Sequence, residues 1–344
     1  MSVPGDDAKS GATVSANGIL QIAASIRSRG LDWERIARAV GLDPDRQYDL
    51  ADHVPLKCVM ALYEACGLET GDDAFGIKEG YAAPIGAATV FDYVALAAPT
   101  MGQALKNWVR FQSIPANSIP IGYIEEDRYA FLCWEISDSF GPRAQFIDMI
   151  IGFAANRIQF IAQDKKIHFK ADFSHKMPRN LAEFNRILGS DIRFNQPCDR
   201  LGVPLDCLSI VPPSSEPHLL QIVEQSALRE LREREDRADR LFIITNQISD
   251  ALKRGDASLG AVAQELGMSR RSLQRALEGS GTTYRQLVDH VRKALAQRYL
   301  VDSDLQLSEI AYLLGYSELS AFSRAAKAWF GMSANAYRKN SARR

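Results

Sequence analysis

Leu259-Gly-Ala-Val262-Ala263-Gln-Glu-Leu266-Gly267-Met-Ser269 and Leu307-Ser-Glu-Ile310-Ala311-Tyr-Leu-Leu314-Gly315-Tyr-Ser317 are one short text written twice. Leu, an aliphatic residue, Ala, Leu, Gly and Ser recur in step, 48 positions apart. After one inserted residue the match resumes 49 apart, pairing Leu273 with Phe322, Arg275 with Arg324 and Ala276 with Ala325. A short helix, a glycine turn and a second helix with Arg on its outer face form the pattern of a helix-turn-helix. Two such units in one small domain predict contact with two neighbouring stretches of major groove.

In the first copy Ser258 is placed to cap a positioning helix over Leu259–Leu266, and Gly267 supplies the turn. Ser269 caps a second helix, Arg270–Glu278, on which Leu273 and Leu277 point inward. Ser269, Arg270, Arg271, Gln274 and Arg275 fall on the remaining faces. Arg can hold guanine O6 and N7 together, and Gln can do the same for adenine N6 and N7. Donors at a helix start also favour phosphate. In the second copy Leu307–Leu314 positions, Gly315 turns, and Ser317 caps a helix running to about Phe330. Phe322, Ala325 and Trp329 share its inner face, while Leu319, Ser320, Ser323, Arg324 and Lys327 lie elsewhere around it. That outer surface is plainer, so the first copy is expected to carry more base discrimination. A structural alternative for Arg275 and Arg324 is pairing with Glu265 or Glu309. The connector Thr283–Val301 spans roughly 28 Å as helix, against about 34 Å between successive major-groove faces.

Charge is distributed as this reading requires. The chain has 344 residues and a net charge of −1, with 46% hydrophobic and 24% charged residues, the composition of a soluble globular protein with room for two domains. Residues 256–344 hold 13 Lys and Arg against 8 Asp and Glu, whereas residues 1–255 hold 28 against 34. A basic end on an acidic body fits a nucleic-acid contact at one end. A nonspecific architectural DNA binder would need more positive charge.

Several classes are disfavoured. Cys58, Cys66, Cys133, Cys198 and Cys207 are odd in number and form no CxxC pair, so they read as reduced core residues and not as a disulfide or zinc framework. His168 and His175 lie seven apart and do not cluster with them; no metal or cofactor is expected. Residues 1–18 show no basic start followed by an apolar stretch, and no run of 18 apolar residues occurs, which predicts a cytoplasmic protein without a membrane span. No nucleophile–base pairing or phosphate loop supports an enzyme with a DNA-targeting tail.

Along the chain, residues 1–15 are Gly/Ser/Asp-rich and expected to be disordered. Helices are read at 16–26, Asp32–Val40, Pro55–Gly67 and Asp72–Gly80, and from a capping box at Thr100–Gln103 to about Phe111. Ile119–Glu125 and Tyr129–Ile136 read as a hairpin, 143–163 as a buried helix, and Pro178–Leu188 as a helix. Lys166–Phe169, Ile192–Phe194 and 200–205 read as strands. These predict an α+β sensor and dimerisation domain over 16–212. A linker helix over 213–236, bearing the charge run Arg229–Arg240, leads into an all-α domain over 237–344 with two helix-turn-helix units joined by a connecting helix. Trp33, Trp108, Trp134 and Tyr93 are candidate pocket residues, with core packing the more usual role.

The stretch Ile310-Ala311…Gly315-Tyr316…Ser320-Ala-Phe322-Ser-Arg324…Lys327-Ala-Trp329-Phe-Gly331-Met-Ser333…Tyr337-Arg338 resembles the DNA-binding domain of AraC/XylS-type transcription regulators. The resemblance covers about a quarter of the chain and implies recognition helices over Ser269–Leu277 and Ser317–Lys327. Carried over, Arg271, Gln274 and Arg275 face bases in the first unit, and Leu319, Ser320, Ser323 and Arg324 face bases or phosphate in the second. Ala326 stands where the family has an aromatic, implying looser packing, and Ala334 where it has Pro, removing a rigid helix start. Ile85-Gly86…Asp92-Tyr93…Ala98-Pro99-Thr100, then Phe184…Leu188-Gly189…Ile192-Arg193-Phe194…Leu205, is similar to the N-terminal domain of the subgroup that includes ornithine-utilisation regulators. That likeness implies effector binding or dimerisation and assigns no effector residue. The expected function is a sequence-specific activator of transcription, controlled by a small molecule and acting as a homodimer on double-stranded DNA and with RNA polymerase. The alternative is a ligand-independent regulator whose front domain only dimerises.

Overall fold

Thr13–Ser15, expected to be disordered, is a strand, β1, paired antiparallel with β2 (His53–Pro55) in the register Thr13↔Pro55. The polar segment is held because Asn117 bonds it from both sides: its Oδ1 accepts from Thr13 N at 2.8 Å and its Nδ2 donates to Gly11 O at 3.0 Å. The computed structural model describes residues 11–49, 52–303 and 305–341, so the rest of the expected disordered lead, residues 1–10, lies outside the described residues. The chain divides into two units, Met1–Leu231 and Arg232–Arg344.

In the first unit α1 (Asn17–Ser28) and α2 (Trp33–Ala39) precede β2, and α3 (Leu56–Thr70), α4 (Phe75–Ala82), α5 (Val90–Leu96) and α6 (Met101–Arg110) follow it. Thr100 caps α6 by accepting from Gln103 N at 3.2 Å. Only half the expected capping box forms, because Gln103 Nε2 is directed to Asn107 Oδ1 at 2.8 Å. The hairpin is β3 (Ile121–Glu126) and β4 (Tyr129–Trp134), then come α7 (Ala144–Ala162), β5 (Lys170–Asp172), α8 (Ala182–Leu188), β6 (Asp191–Arg193) and β7 (Asp199–Pro204). The five-stranded sheet has the order β3-β4-β7-β5-β6, antiparallel except for β5 with β6. This is the mixed α+β architecture that the sequence implied.

Helix α4 starts at Phe75 and not at Asp72, and two elements beyond α7 also start later than the sequence implied. Residues 166–169 are not a strand, because Ile167 N is taken by the side chain of Gln159 on α7 at 3.2 Å. The helix after Pro178 begins only at Ala182, where Asn180 Oδ1 accepts from Ala182 N at 2.9 Å.

Helices α4 and α7 approach backbone to backbone. A Cβ at Gly76 would collide with the Gln145 carbonyl, one at Gly80 with the Met149 carbonyl, and one at Gly152 with the Ile77 carbonyl. Beside this crossing lies a fully buried ion pair. Arg157 Nε and Nη2 each donate to Asp92 at 3.0 Å, and Nη1 donates to the Ala83 carbonyl at 2.8 Å. Asp92 Oδ2 also accepts from Gly86 N at 2.8 Å and Ala88 N at 3.2 Å. The Ile85–Asp92 motif therefore folds its own loop around a charge that is satisfied on every side, as a buried charge must be.

The expected linker helix and the last helix before the repeats are one helix, α9 (Pro217–Lys253), and the division between the units falls within it. Val223 and Ala227 join the first core, Ile244, Ile248, Ala251 and Leu252 the second. No Gly or Pro occurs between His218 and Lys253 to break it. The second unit continues with α10 (Leu259–Glu265), α11 (Arg270–Glu278), α12 (Tyr284–Asp302), α13 (Leu307–Leu313), α14 (Leu319–Phe330) and α15 (Ala334–Ser341). Among the described residues no helix is long and apolar enough to cross a membrane.

Candidate nucleic-acid interface

The first helix-turn-helix unit is α10 and α11. Ser258 Oγ accepts from Ala261 N at 3.2 Å and Ser269 Oγ from Ser272 N at 3.1 Å, so both helices begin at the serines read from sequence. Gly267, between them, has φ +64°, the left-handed region that costs a side chain about 1–2 kcal/mol. Leu273 and Leu277 are fully buried. Ser269, Arg270, Arg271, Gln274 and Arg275 are all exposed. The Arg270 guanidinium lies over Gly260 of α10, where a Cβ would stand 2.5 Å from Nη2. That placement puts Arg270 across the positioning helix and leaves Arg271, Gln274 and Arg275 as the free polar face.

The second unit is α13 and α14, with Gly315 at φ +71°. Its second helix starts one residue later than the expected cap at Ser317 would place it. Glu318, not Ser317, occupies the N-cap, and no side chain caps the helix. The inserted residue that breaks the repeat register falls here, so the serine equivalent to Ser269 no longer meets the helix start. Leu319, Ser320, Ser323, Arg324 and Lys327 are exposed, and Ser320 Oγ donates to Glu318 Oε2 at 3.0 Å. A carboxylate at this helix start disfavours phosphate there. Phe322 and Ala326 are fully buried; Ala325 and Trp329 are only partly so. Thus Ala326, where an aromatic was expected, is itself the buried position. The missing Pro at Ala334 is offset by Ser333, whose Oγ accepts from Ala336 N at 3.2 Å to start α15.

The structural alternative for Arg275 and Arg324 fails on its partners. Glu265 Oε2 is bonded to Arg254 Nη2 at 2.6 Å and Glu309 Oε2 to Gln306 N at 2.7 Å. Among the described residues neither arginine forms an ion pair.

Three side chains hold the second unit and α15 on the connector α12, a role that spacing alone does not show for them. Arg292 Nε donates to Leu314 O at 2.9 Å and Nη2 to Gly315 O at 3.2 Å, with the guanidinium 4.6 Å from the centre of the Tyr316 ring. Trp329 Nε1 donates to both oxygens of Asp289, at 3.2 and 3.1 Å. Arg338 Nη2 donates to Leu305 O at 2.8 Å. Tyr284 OH ties the start of α12 to Ala257 O at 2.9 Å, and burial pushes that phenol up to about 12. Two arginines of the basic domain are thus structural. Arg285, Lys293 and Arg298 are exposed on the connector.

In the first unit the candidate aromatics separate by place. Trp33 and Trp108 are buried in the core, and Trp108 Nε1 donates to Phe91 O at 3.2 Å. Tyr93 is exposed, while Trp134 borders a cleft of about 560 Å³. Of the cysteines, Cys58, Cys66 and Cys207 are buried as read, Cys133 is half-buried and Cys198 is exposed. A titratable pair missed by the sequence lies under the cleft wall. His175 Nδ1 is 2.9 Å from Lys176 O and Nε2 is 2.9 Å from Asp148 Oδ1. A carbonyl only accepts, so Nδ1 donates to it, and the contact from Nε2 requires one further proton shared with Asp148. Burial pushes the Asp148 carboxyl up to about 6. Burial opposes the charge on His175, but its hydrogen bond and charge attraction to Asp148, with the bond to the Lys176 carbonyl and the nearby Asp199 carboxylate, together outweigh this and its pKa is raised.

The amino-acid sequence matches known families over both units. The family described as the arabinose-binding domain of AraC transcription regulator, N-terminal, matches residues 30–210, and a helix-turn-helix domain family matches residues 262–340. The chain is 27% identical over 270 residues to the ornithine utilization regulator of Pseudomonas aeruginosa, covering 78% of this chain and 79% of that one. It is 46% identical over 87 residues to the HTH-type transcriptional regulator VirS of Mycobacterium tuberculosis, 25% of this chain and 26% of that one. Over 107 residues it is 33% identical to the transcriptional activator NphR of a Rhodococcus species, 31% of this chain and 32% of that one.

Proposed function

The chain belongs to the AraC-type transcription regulators, DNA-binding proteins and not enzymes, and on that premise we propose that it is a sequence-specific activator under small-molecule control. The observation that carries the reading is the pair of units with unlike outer faces on one connector. Arg271, Gln274 and Arg275 stand free on α11, whereas Leu319, Ser323, Arg324 and Lys327 stand on α14 behind Glu318. The 19-residue connector gives roughly 28 Å of helix, close to the spacing of adjacent major grooves. One protomer then reads an asymmetric site, with α11 supplying most base discrimination through Arg and Gln and α14 supplying apolar and phosphate contacts.

The likeness to a protein named as an activator supports the sign of regulation, and activation brings contact with RNA polymerase. The first unit binds the effector and dimerises the protein, which acts on double-stranded DNA in the cytoplasm. Exposed Leu219 and Ile222 near the start of α9 support a second copy packing there. The test is a band shift with a selected operator and a scrambled competitor at rising salt, with and without candidate effectors. Preference for the operator that persists as salt rises, and operator affinity that changes with an effector, is the expected result. Equal binding of both DNAs removes the sequence-specific reading, and operator affinity indifferent to every effector leaves the first unit as a dimerisation module.

A further inference from the structure

The cleft beside Trp134 lies at one end of the five-stranded sheet, where β4 and β5 finish and β7 begins. Three features of its wall point to a ligand. Asp199 is 3% exposed, accepts from Ser174 N at 2.6 Å and Ser174 Oγ at 2.9 Å, and forms no ion pair among the described residues. Arg143, which precedes the first turn of α7, bonds Asp138 through Nη1, but its Nε is buried without a partner. Ser118 Oγ is likewise buried and unpartnered. Unsatisfied buried polar atoms cost free energy, and a buried carboxylate without a cation costs more. The rest of the wall is mixed: Trp134, Ile136 and Phe140 offer an apolar side, while Glu135, Ser137 and Cys198 also border the cleft, so a second carboxylate, that of Glu135, adds to Asp199 in favouring a cationic group.

From this we infer that the cleft binds a small zwitterion with an apolar side group, that is, an amino acid of the leucine or phenylalanine kind. The inference rests on the reading of the first unit as the effector-binding part and names its site and ligand class. The ligand carboxylate meets Arg143 and Ser118, the ammonium meets Asp199, and the side group lies against Trp134. A simple carboxylic acid would set its charge beside Asp199, which has no ion-pair partner among the described residues and only the more distant His175 as a cationic neighbour. A simple amine would face the Arg143 guanidinium and leave the Ser118 hydroxyl unpaired. A molecule carrying both charges satisfies both ends. The volume of about 560 Å³ falls in the range of small-molecule pockets.

The test titrates the full chain, without DNA, by calorimetry with L-leucine, L-methionine and L-phenylalanine. Two truncated probes follow: 3-phenylpropionate lacks the ammonium and phenethylamine lacks the carboxylate. At least one amino acid should saturate, and each truncated probe should bind at least about tenfold more weakly than L-phenylalanine, as expected when a site built for a polar group loses it. Arg143→Met should abolish binding. Ser118→Ala should weaken it severalfold while leaving the unfolding midpoint of the free protein at or above the parent value, since it removes an unpaired hydroxyl. The inference is overturned if no amino acid of the set binds, if the truncated probes bind as well, or if binding survives both substitutions. Operator affinity with the bound amino acid is read separately. Binding that leaves operator affinity unchanged keeps the site and removes the effector reading, whereas operator control by some other molecule with no binding here does the reverse.

Discussion

Replacing Arg292 by Met should uncouple the second helix-turn-helix unit from the first. The side chain makes two charge-assisted hydrogen bonds, to Leu314 O at 2.9 Å and Gly315 O at 3.2 Å, and stacks over Tyr316 at 4.6 Å. Each such bond is worth about 1.5–3 kcal/mol where it is shielded from water, and the ring contact adds about 0.5–1 kcal/mol. Arg292 is half-buried, so solvent screening brings each bond down to about 1 kcal/mol, and with the ring contact the sum is about 2–3 kcal/mol. The two carbonyls belong to the turn that aims α14, so the loss falls on that turn first. Urea unfolding of the full chain should show the destabilisation as a lower midpoint. Band shifts should show affinity for a complete operator falling about 30-fold, the equivalent of about 2 kcal/mol, while a DNA carrying only the half read by α11 loses less than about threefold on the same scale. Arg292→Lys should fall between, since an ammonium cannot reach both carbonyls as a fork does. Unchanged stability, or equal losses on the complete and the half operator, would refute the assignment of Arg292 as the clamp of the second turn.

Other perturbations test the first unit. Asp92→Asn leaves the Arg157 guanidinium fully buried opposite a neutral amide and should cost about 3–5 kcal/mol in denaturant unfolding; a cost within experimental error would mean the pair does not hold the 83–92 loop. Gly80→Ala drives a Cβ into the Met149 carbonyl and should destabilise by about 1–3 kcal/mol or prevent folding; a neutral effect would contradict the close α4–α7 crossing. The Asp148–His175 pair holds its proton more firmly when folded, since both values are raised. The Asp148 contribution is complete below its unfolded value and lost as pH rises through about 6. The His175 contribution is complete below the unfolded histidine value and lost as pH rises through the higher folded one. Stability should therefore fall as pH rises from about 4 through about 6 on account of Asp148, and again above the ordinary histidine value on account of His175, by at most about 1.4 kcal/mol per pH unit for each linked proton. His175→Asn should flatten that slope in urea midpoints measured across the range, and an unchanged slope would assign it to other groups.

What could be read from sequence alone was local. Ser258, Gly267, Ser269, Leu273 and Leu277 act within one or two turns of themselves, and caps, turns and buried faces follow from spacing. The start of α14 was misplaced by the same logic, because the inserted residue shifted Ser317 out of the cap while the repeat still matched on both sides of it. Contacts between distant residues left no such trace. Arg157 meets Asp92 across 65 positions, His175 meets Asp148 across 27, and Asn117 holds Thr13 across 104. Arg292 and Arg338 counted toward a basic DNA-binding domain, yet both hold carbonyls of their own unit. Charge gives the sign of a surface, but only the fold tells which charges are free to meet a ligand.

The division of labour between the two units is tested most directly by selecting operators from a randomised library with the parent protein and with Arg271→Ala. The account predicts that base preference flattens by about 1–3 kcal/mol at positions facing α11 and stays intact at positions facing α14. A uniform loss of affinity across all sequences, or a loss of preference confined to the half facing α14, would contradict it.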